Sequence, residues 1–323
     1  MIMKKNVDNT VPLVTPVVFD AGGFSLAHSD DVLLVGSCFA EYIGRRLDDA
    51  RFNVMTNPFG IVYNPFSMAD VVERCIEGKE IGESDIAFRD GLWHSWLHHG
   101  SFSRPSADEC LAVCNAGIER ANRFIERCST VILTFGSAWC YTLPIEGTAR
   151  VVANCHKFPQ SCFERRLASV DEIVSRWHPL VQQLVAQGKK LLFTVSPVRH
   201  WAYGAHGNQL GKAALLLAIE QLDQHYFPSY EIFMDELRDY RFYADDMLHP
   251  SSLAQEIVWQ RVKQYYMSAT TRDICDKADA LNRLCAHRLL HADLEAEQAL
   301  RERIASMEKE LDELLDNEKK QVI

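Results

Sequence analysis

The sequence predicts an α/β fold with a mostly parallel central sheet, an irregular insertion at about residues 50–105 and a C-terminal helical tail. Three observations carry that expectation. Short, continuous apolar runs end abruptly at Gly or Ser, segments with helical spacing alternate with them, and beyond about residue 270 glycine and proline disappear. Uninterrupted apolar runs of strand length suit strands covered on both faces, and their alternation with helices suits parallel pairing.

Residues 1–30 read as an irregular lead-in. Val32-Leu33-Leu34-Val35 reads as the first strand, stopped by Gly36, and Phe39 to Leu47 as the helix after it, with Tyr42, Ile43 and Leu47 on one side. Residues 48–105 carry Asn57-Pro58-Phe59-Gly60, Asn64-Pro65 and a Trp- and His-rich run at 93–99. Loops and a small hairpin at Asp90-Gly91 are expected there. A helix from Ala107 to Arg127 precedes the second strand, Val131 to Phe135. A helix from Val170 to about Gln187, stopped by Gly188, precedes the third, Leu191 to Val195. A helix over 211–225, a fourth strand at Glu231 to Met234 and a closing helix from Ser251 to Met267 complete the reading. The domain is therefore placed at 1–270 and a helical extension, dispensable for the fold, at 271–323. In the extension Leu300, Ile304, Met307, Leu311 and Leu314 follow a four-three spacing. That seam suits either a helical hairpin packed on the body or a homodimer through the C-terminal helix.

The 323 residues, 47% hydrophobic and 24% charged, are enough for a large core. A net charge of -10 argues against a nucleic-acid or anionic-membrane surface. No run reaches the roughly 18 apolar residues of a membrane span, and Met1-Ile2-Met3-Lys4-Lys5 leads into polar residues rather than an apolar export segment. A cytoplasmic location is expected, with the ten cysteines as reduced thiols.

In a parallel sheet the ligand site lies at the carboxyl ends of the strands. Gly36, Gly136 and Ser196 all fall there. Gly36-Ser37-Cys38 sets a hydroxyl and a thiol at a helix N-terminus, where free N–H groups lower a thiol pKa and stabilise an oxyanion. Asp246-Met247-Leu248-His249 sets a carboxylate where it can orient an imidazole three residues on, leaving the other ring nitrogen to act as base. Arg199 and His200, at a strand end, suit an anionic substrate group. His94 and His98 would share a helix face, but the Trp and Ser around them favour a strand or loop, so no metal site is assigned. The glycines at 204, 207 and 211 do not form a dinucleotide fingerprint, and no cofactor is implied.

Gly-Ser-Cys-Phe-Ala at 36–40 resembles the signature of the GSCFA domain family. So do Asn57 to Gly60, Asn154-Cys155-His156-Lys157, Ser196 to His200, and Arg238 to Tyr243 leading into Asp246 and His249. The resemblance spans about residues 12–267. It implies a three-layer, flavodoxin-like SGNH-hydrolase fold and acyl-group chemistry. Against the SGNH pattern, Cys38 takes the nucleophile's place and Ser37 the preceding aspartate's. Gly60 takes that of an oxyanion glycine, and Gly136-Ser137-Ala138-Trp139 the segment that should hold an oxyanion asparagine. That asparagine is missing; Ser137, Asn64 or Asn154 is expected to replace it, with His156 also at the site. The expected activity is ester hydrolysis through Cys38 or Ser37, with His249 and Asp246, on a small-molecule or carbohydrate ester. The alternatives are an acetyl-type acyltransferase and a non-catalytic binding or scaffold protein on the same fold.

Overall fold

The computed structural model describes residues 14–145, 148–286 and 294–321. The start of the lead-in (1–13) and residues 287–293 and 322–323 of the tail lie outside the described residues. The apolar run at 32–35 forms β1 (Asp31–Gly36), and Ser37 caps α1 (Cys38–Asp49). Then come β2 (Asn53–Thr56), α2 (Pro65–Glu77), the hairpin β3 (Ile86–Arg89) and β4 (Leu92–Ser95), and α3 (Ala107–Arg127). The hairpin turns at Asp90 and Gly91, both with positive φ, as its short loop requires. The stretch expected to be irregular therefore also holds a sheet strand and a 13-residue helix. β2 is only partly buried and four residues long, which leaves no continuous apolar run to read.

β5 (Thr130–Phe135) leads into a three-stranded antiparallel sheet, β6 (Trp139–Ile145), β7 (Thr148–Val151) and β8 (Glu164–Leu167), in the order β7-β6-β8. α4 (Val170–Ala186) starts at a Ser169–Glu172 capping box and ends before Gly188. β9 (Lys190–Val195), α5 (Gly204–Leu222), β10 (His225–Phe227), the short α6 (Ser229–Glu231) and α7 (Ser252–Tyr266) follow. α8 (Ala269–Ala286) and α9 (Leu294–Gln321) close the chain.

The expected fourth strand at 231–234 is instead α6 running into a π-helical turn over Ile232–Glu236. Ile232 and Phe233 are buried, so the apolar run was read correctly as core but not as to geometry. The strand is β10, three residues long and hidden at the end of a helix that begins seven residues earlier than expected.

The five main strands are all parallel, in the order β2-β1-β5-β9-β10. This is the doubly wound 2-1-3-4-5 order, and its direction reverses between β1 and β5. Helices cover both faces. Leu33 and Val35 of β1 face one core with residues of α2, α3, α4 and α5; Val32 and Leu34 face the other with α1 and α7. That strand alternation explains the continuous apolar run.

The tail folds back within the chain. Ile304, Met307, Leu311 and Leu314 of the seam pack on Ile274, Ala278 and Leu281 of α8. Cys275 of α8 enters the second core, and buried Glu318 reaches His28 Nδ1 (2.5 Å) and the Thr271 hydroxyl. The α8–α9 hairpin thus covers the seam. No described helix is long and apolar enough to cross a membrane.

Candidate active site

The strand-order reversal opens a crevice above β1, β5 and β9, the position at which doubly wound sheets bind ligands. Ser37 and Cys38 follow β1, Gly136 follows β5 and Ser196 follows β9, and all four line one cavity of about 270 Å³. Tyr63, Arg199, His200, Trp201, Leu248 and His249 are also part of its wall. Gly36 makes this approach possible. Its φ is +151°, and a Cβ there would lie 2.4 Å from the Thr134 carbonyl of the neighbouring strand. Only glycine allows β1 to end so close to β5.

Ser37 and Cys38 have different roles in the turn. Ser37 is 2% exposed; its hydroxyl accepts from the Phe39 N–H (3.2 Å) and donates to Ser196 Oγ (3.1 Å). It is a helix cap turned inward. Cys38, the first residue of α1, is only partly buried. The helix N-terminus was expected to lower its thiol pKa. Instead the pKa is raised, by burial first and by Glu41 second, against the opposing pull of the Phe39 and Cys38 N–H groups and of Lys212. At neutral pH Cys38 is therefore a thiol, not a resident thiolate.

His249 is held by a tight turn. Asp246 Oδ1 accepts the N–H groups of Leu248 and His249 (both 2.9 Å), while Asp246 Oδ2 lies 2.6 Å from His249 Nδ1. Met247 adopts φ +59° to close the turn, an uncommon conformation for a side chain of its kind. The backbone N–H bonds from His249 and Leu248, and then the imidazole, hold the Asp246 carboxyl down at about 2. The Arg199 N–H donates to the Leu248 carbonyl (3.1 Å), tying the segment after β9 to the histidine turn. That segment carries His200, whose pKa is lowered by burial, Lys212 and His249.

Beneath the cavity lies a residue that sequence reasoning missed. Lys212 of α5 is 2% exposed, and its ammonium donates to the carbonyls of Gly136 (2.8 Å) and Ser196 (2.7 Å). It joins the ends of β5 and β9. Burial lowers its pKa to about 7, with Cys38 and Glu231 opposing. The available signal was a lone cation in Gly211-Lys212-Ala213-Ala214-Leu215, at the start of an apolar stretch of helix.

The remaining expected site residues sit elsewhere. The N–H of Gly60 is bound to the Asn57 carbonyl (2.7 Å), and those of Gly136 and Ser137 to the Tyr63 carbonyl (2.9 and 3.0 Å). Ser137 Oγ accepts from the Trp139 N–H. Asn64 caps α2 through Ser67, and Asn154 accepts from the His156 N–H. His156 stacks on His94 at 4.6 Å and lies 2.7 Å from the Ser95 carbonyl; burial lowers its pKa to about 4. Gly60, Asn64, Ser137, Asn154 and His156 are not part of the cavity wall. His94 sits on β4 and His98 in the loop after it, rather than on one helix, and each bonds a serine. Among the described residues no group of three or more His, Cys, Asp or Glu is placed to hold a metal ion.

The GSCFA family model matches residues 31–262 of the chain. No curated protein matches it. Among solved structures, the chain is similar to the psychrotrophic esterase EstA from Pseudoalteromonas sp., at 13% identity and a TM-score of 0.33, over 73% of this chain and 96% of that one.

Proposed function

The chain belongs to the GSCFA family, and on that premise we propose that it is an acyl-transfer enzyme of the SGNH-hydrolase type, acting on ester bonds. One observation carries the reading: Cys38 and His249 face the same cavity at the switch point of the sheet, and His249 is held by Asp246 at 2.6 Å. Nucleophile, base and orienting carboxylate form the constellation that nucleophilic catalysis needs.

In the proposed reaction, His249 Nε2 takes the Cys38 proton as Sγ bonds to the ester carbonyl carbon. The carbonyl π pair moves onto oxygen. Collapse of this adduct breaks the bond to the alkoxide, which leaves with the proton from His249. Water, deprotonated by His249, then attacks the thioester and releases the acid and Cys38. The Cys38 N–H and the Ser196 hydroxyl are our candidates for the oxyanion. Ser196 Oγ already accepts from Ser37 and so has its own hydrogen to offer into the cavity. A neighbouring basin of about 660 Å³ leaves room for an acceptor other than water, which would turn the same acyl-enzyme to transfer.

Turnover of 4-nitrophenyl acetate, followed together with mass spectrometry of the trapped acyl-enzyme, tests this. Cys38→Ala should lose both adduct and steady-state turnover, by at least about 100-fold. An adduct on Ser37, or normal turnover in Cys38→Ala, would reverse the roles. Absence of adduct and turnover in the intact protein would favour a binding role for the fold.

A further inference from the structure

The basin beside the thiol cavity has a chemistry of its own. The two share Arg199, Trp201 and Leu248, and the basin continues past Arg238, Tyr240 and Tyr243. Two arginines therefore line one space that adjoins the cavity of Cys38, with Arg199, Trp201 and Leu248 as the wall common to both. Among the described residues neither forms an ion pair, and Arg199 Nε is buried without a hydrogen-bond partner. The Arg199 guanidinium lies 4.6 Å from the Trp201 ring centroid, a cation–π contact within the wall. Two carboxylates also border the basin, but both are engaged. Asp246 binds His249 and two backbone N–H groups, and Asp239 binds the N–H and guanidinium of Arg241. Tyr240 is 81% exposed at the rim, its ring 6.2 Å from that of Tyr243.

We propose that this basin is a substrate subsite for an anionic group, a carboxylate or phosphate, borne on the part of the substrate that extends from the reacting carbonyl past Trp201. An arginine without a partner in a partly dry wall gains most from a planar or tetrahedral oxyanion that matches its fork of donors. The subsite deepens the acyl-transfer reading and rests on it for the position of the carbonyl.

The test is a matched pair of thiol reagents, 4-(iodoacetamido)benzoate and 4-(iodoacetamido)benzamide, applied to the full chain. They share one electrophile and one ring and differ in charge beyond it. Alkylation is read by peptide mass spectrometry at Cys38, with exposed Cys285 in the same sample as reference. The ratio cancels thiolate content, which both reagents need equally. The benzoate-to-benzamide rate ratio at Cys38 should exceed that at Cys285 by about fivefold or more. Arg199→Gln should abolish the excess, and so should Arg238→Gln, an exposed position where folding is not at stake. Added salt should shrink it. Equal ratios at the two cysteines, or an excess that survives both substitutions, overturn the subsite. If Cys38 resists both reagents, the unreactive 4-acetamido counterparts are titrated instead, and equal Kd values or no saturable binding overturn it in the same way. The 4-acetamidophenyl phosphate counterpart then distinguishes phosphate from carboxylate preference. None of these readouts needs turnover. A chain that hydrolyses no ester but prefers the charged reagent fails the acyl-transfer reading while keeping the subsite.

Discussion

Replacing Lys212 by Met isolates the buried cation under the candidate site. Met keeps the length and removes the charge, leaving the Gly136 and Ser196 carbonyls without the ammonium that joins them. Each orphaned carbonyl costs about 1–3 kcal/mol. Against this stands relief from burying an ammonium, and that relief depends on pH. The folded protein gives up the Lys212 proton near pH 7, the unfolded chain near the ordinary 10.5. Between those values the unfolded state binds more protons, so wild-type stability rises with pH through the window. The penalty is fully present below pH 7 and gone above 10.5. Integrating the two titrations, wild type should gain about 2 kcal/mol over Lys212→Met between pH 7 and pH 9. Comparison with the variant also cancels the buried thiols and tyrosines that titrate in both proteins. Urea unfolding at pH 6, 7, 8 and 9 measures it, and the variant's deficit should widen as pH rises. A deficit constant to within about 0.5 kcal/mol from pH 7 to 9 would show that folded Lys212 holds its proton throughout, and the reasoning would fall.

Four further outcomes follow from the same geometry. Asp246→Asn should lower kcat for ester turnover by about 100-fold or more while leaving the turn folded, because the amide oxygen still accepts the two backbone N–H groups; a variant with undiminished kcat would remove Asp246 from the mechanism. Since the Asp246 carboxyl is held at about 2, wild-type activity should show no acid limb attributable to it at ordinary assay pH. Ser37→Ala should cost about 1 kcal/mol in urea unfolding through the lost cap and reduce turnover only partly, whereas complete loss of the acyl adduct would make Ser37 the nucleophile. Truncation before α9 uncovers Ile274, Ala278 and Leu281 and leaves His28 without Glu318, so it should cost about 2–4 kcal/mol; a truncated chain with no cooperative transition would show that the hairpin is needed for the fold.

The legible parts of this sequence were those with a strong local period. β1, β5 and β9 are runs buried on both faces, and the helices α3, α4 and α7 keep to within about a residue of the spans expected for them, behind the N-caps Ser106, Ser169 and Ser251. β2 and β10 escaped notice because four and three residues carry too little pattern against their surroundings. The π-helical turn at 232–236 escaped because two adjacent buried residues look alike in a strand and in a tight helix. At the site, the glycine turn and the Asp–His turn were readable as short motifs. Lys212 was not, because its role depends on two carbonyls contributed by other strands. The expected replacements for the missing asparagine, Ser137, Asn64 and Asn154, are polar residues that serve as local caps. A cap and an oxyanion donor use the same side chains, and only the third dimension separates them.

The protonation of Cys38 bears on which kind of chemistry the cavity favours. A helix N-terminus alone would hold a thiolate ready to react with any electrophile. Here burial and Glu41 outweigh the two N–H groups and Lys212, and the thiol keeps its proton. In the proposed reaction, proton transfer to His249 must then accompany attack, so reactivity depends on a substrate that excludes water and aligns the base. Lys212 adjusts this balance from below. It favours the thiolate when protonated, and its pKa of about 7 lets that help fade as pH rises. Anion capture in the arginine basin would place the carbonyl before the thiol is activated. On that reading the site withholds its nucleophile until the matching substrate is in position, whereas a permanent thiolate at this partly exposed position would react with any electrophile that reached it.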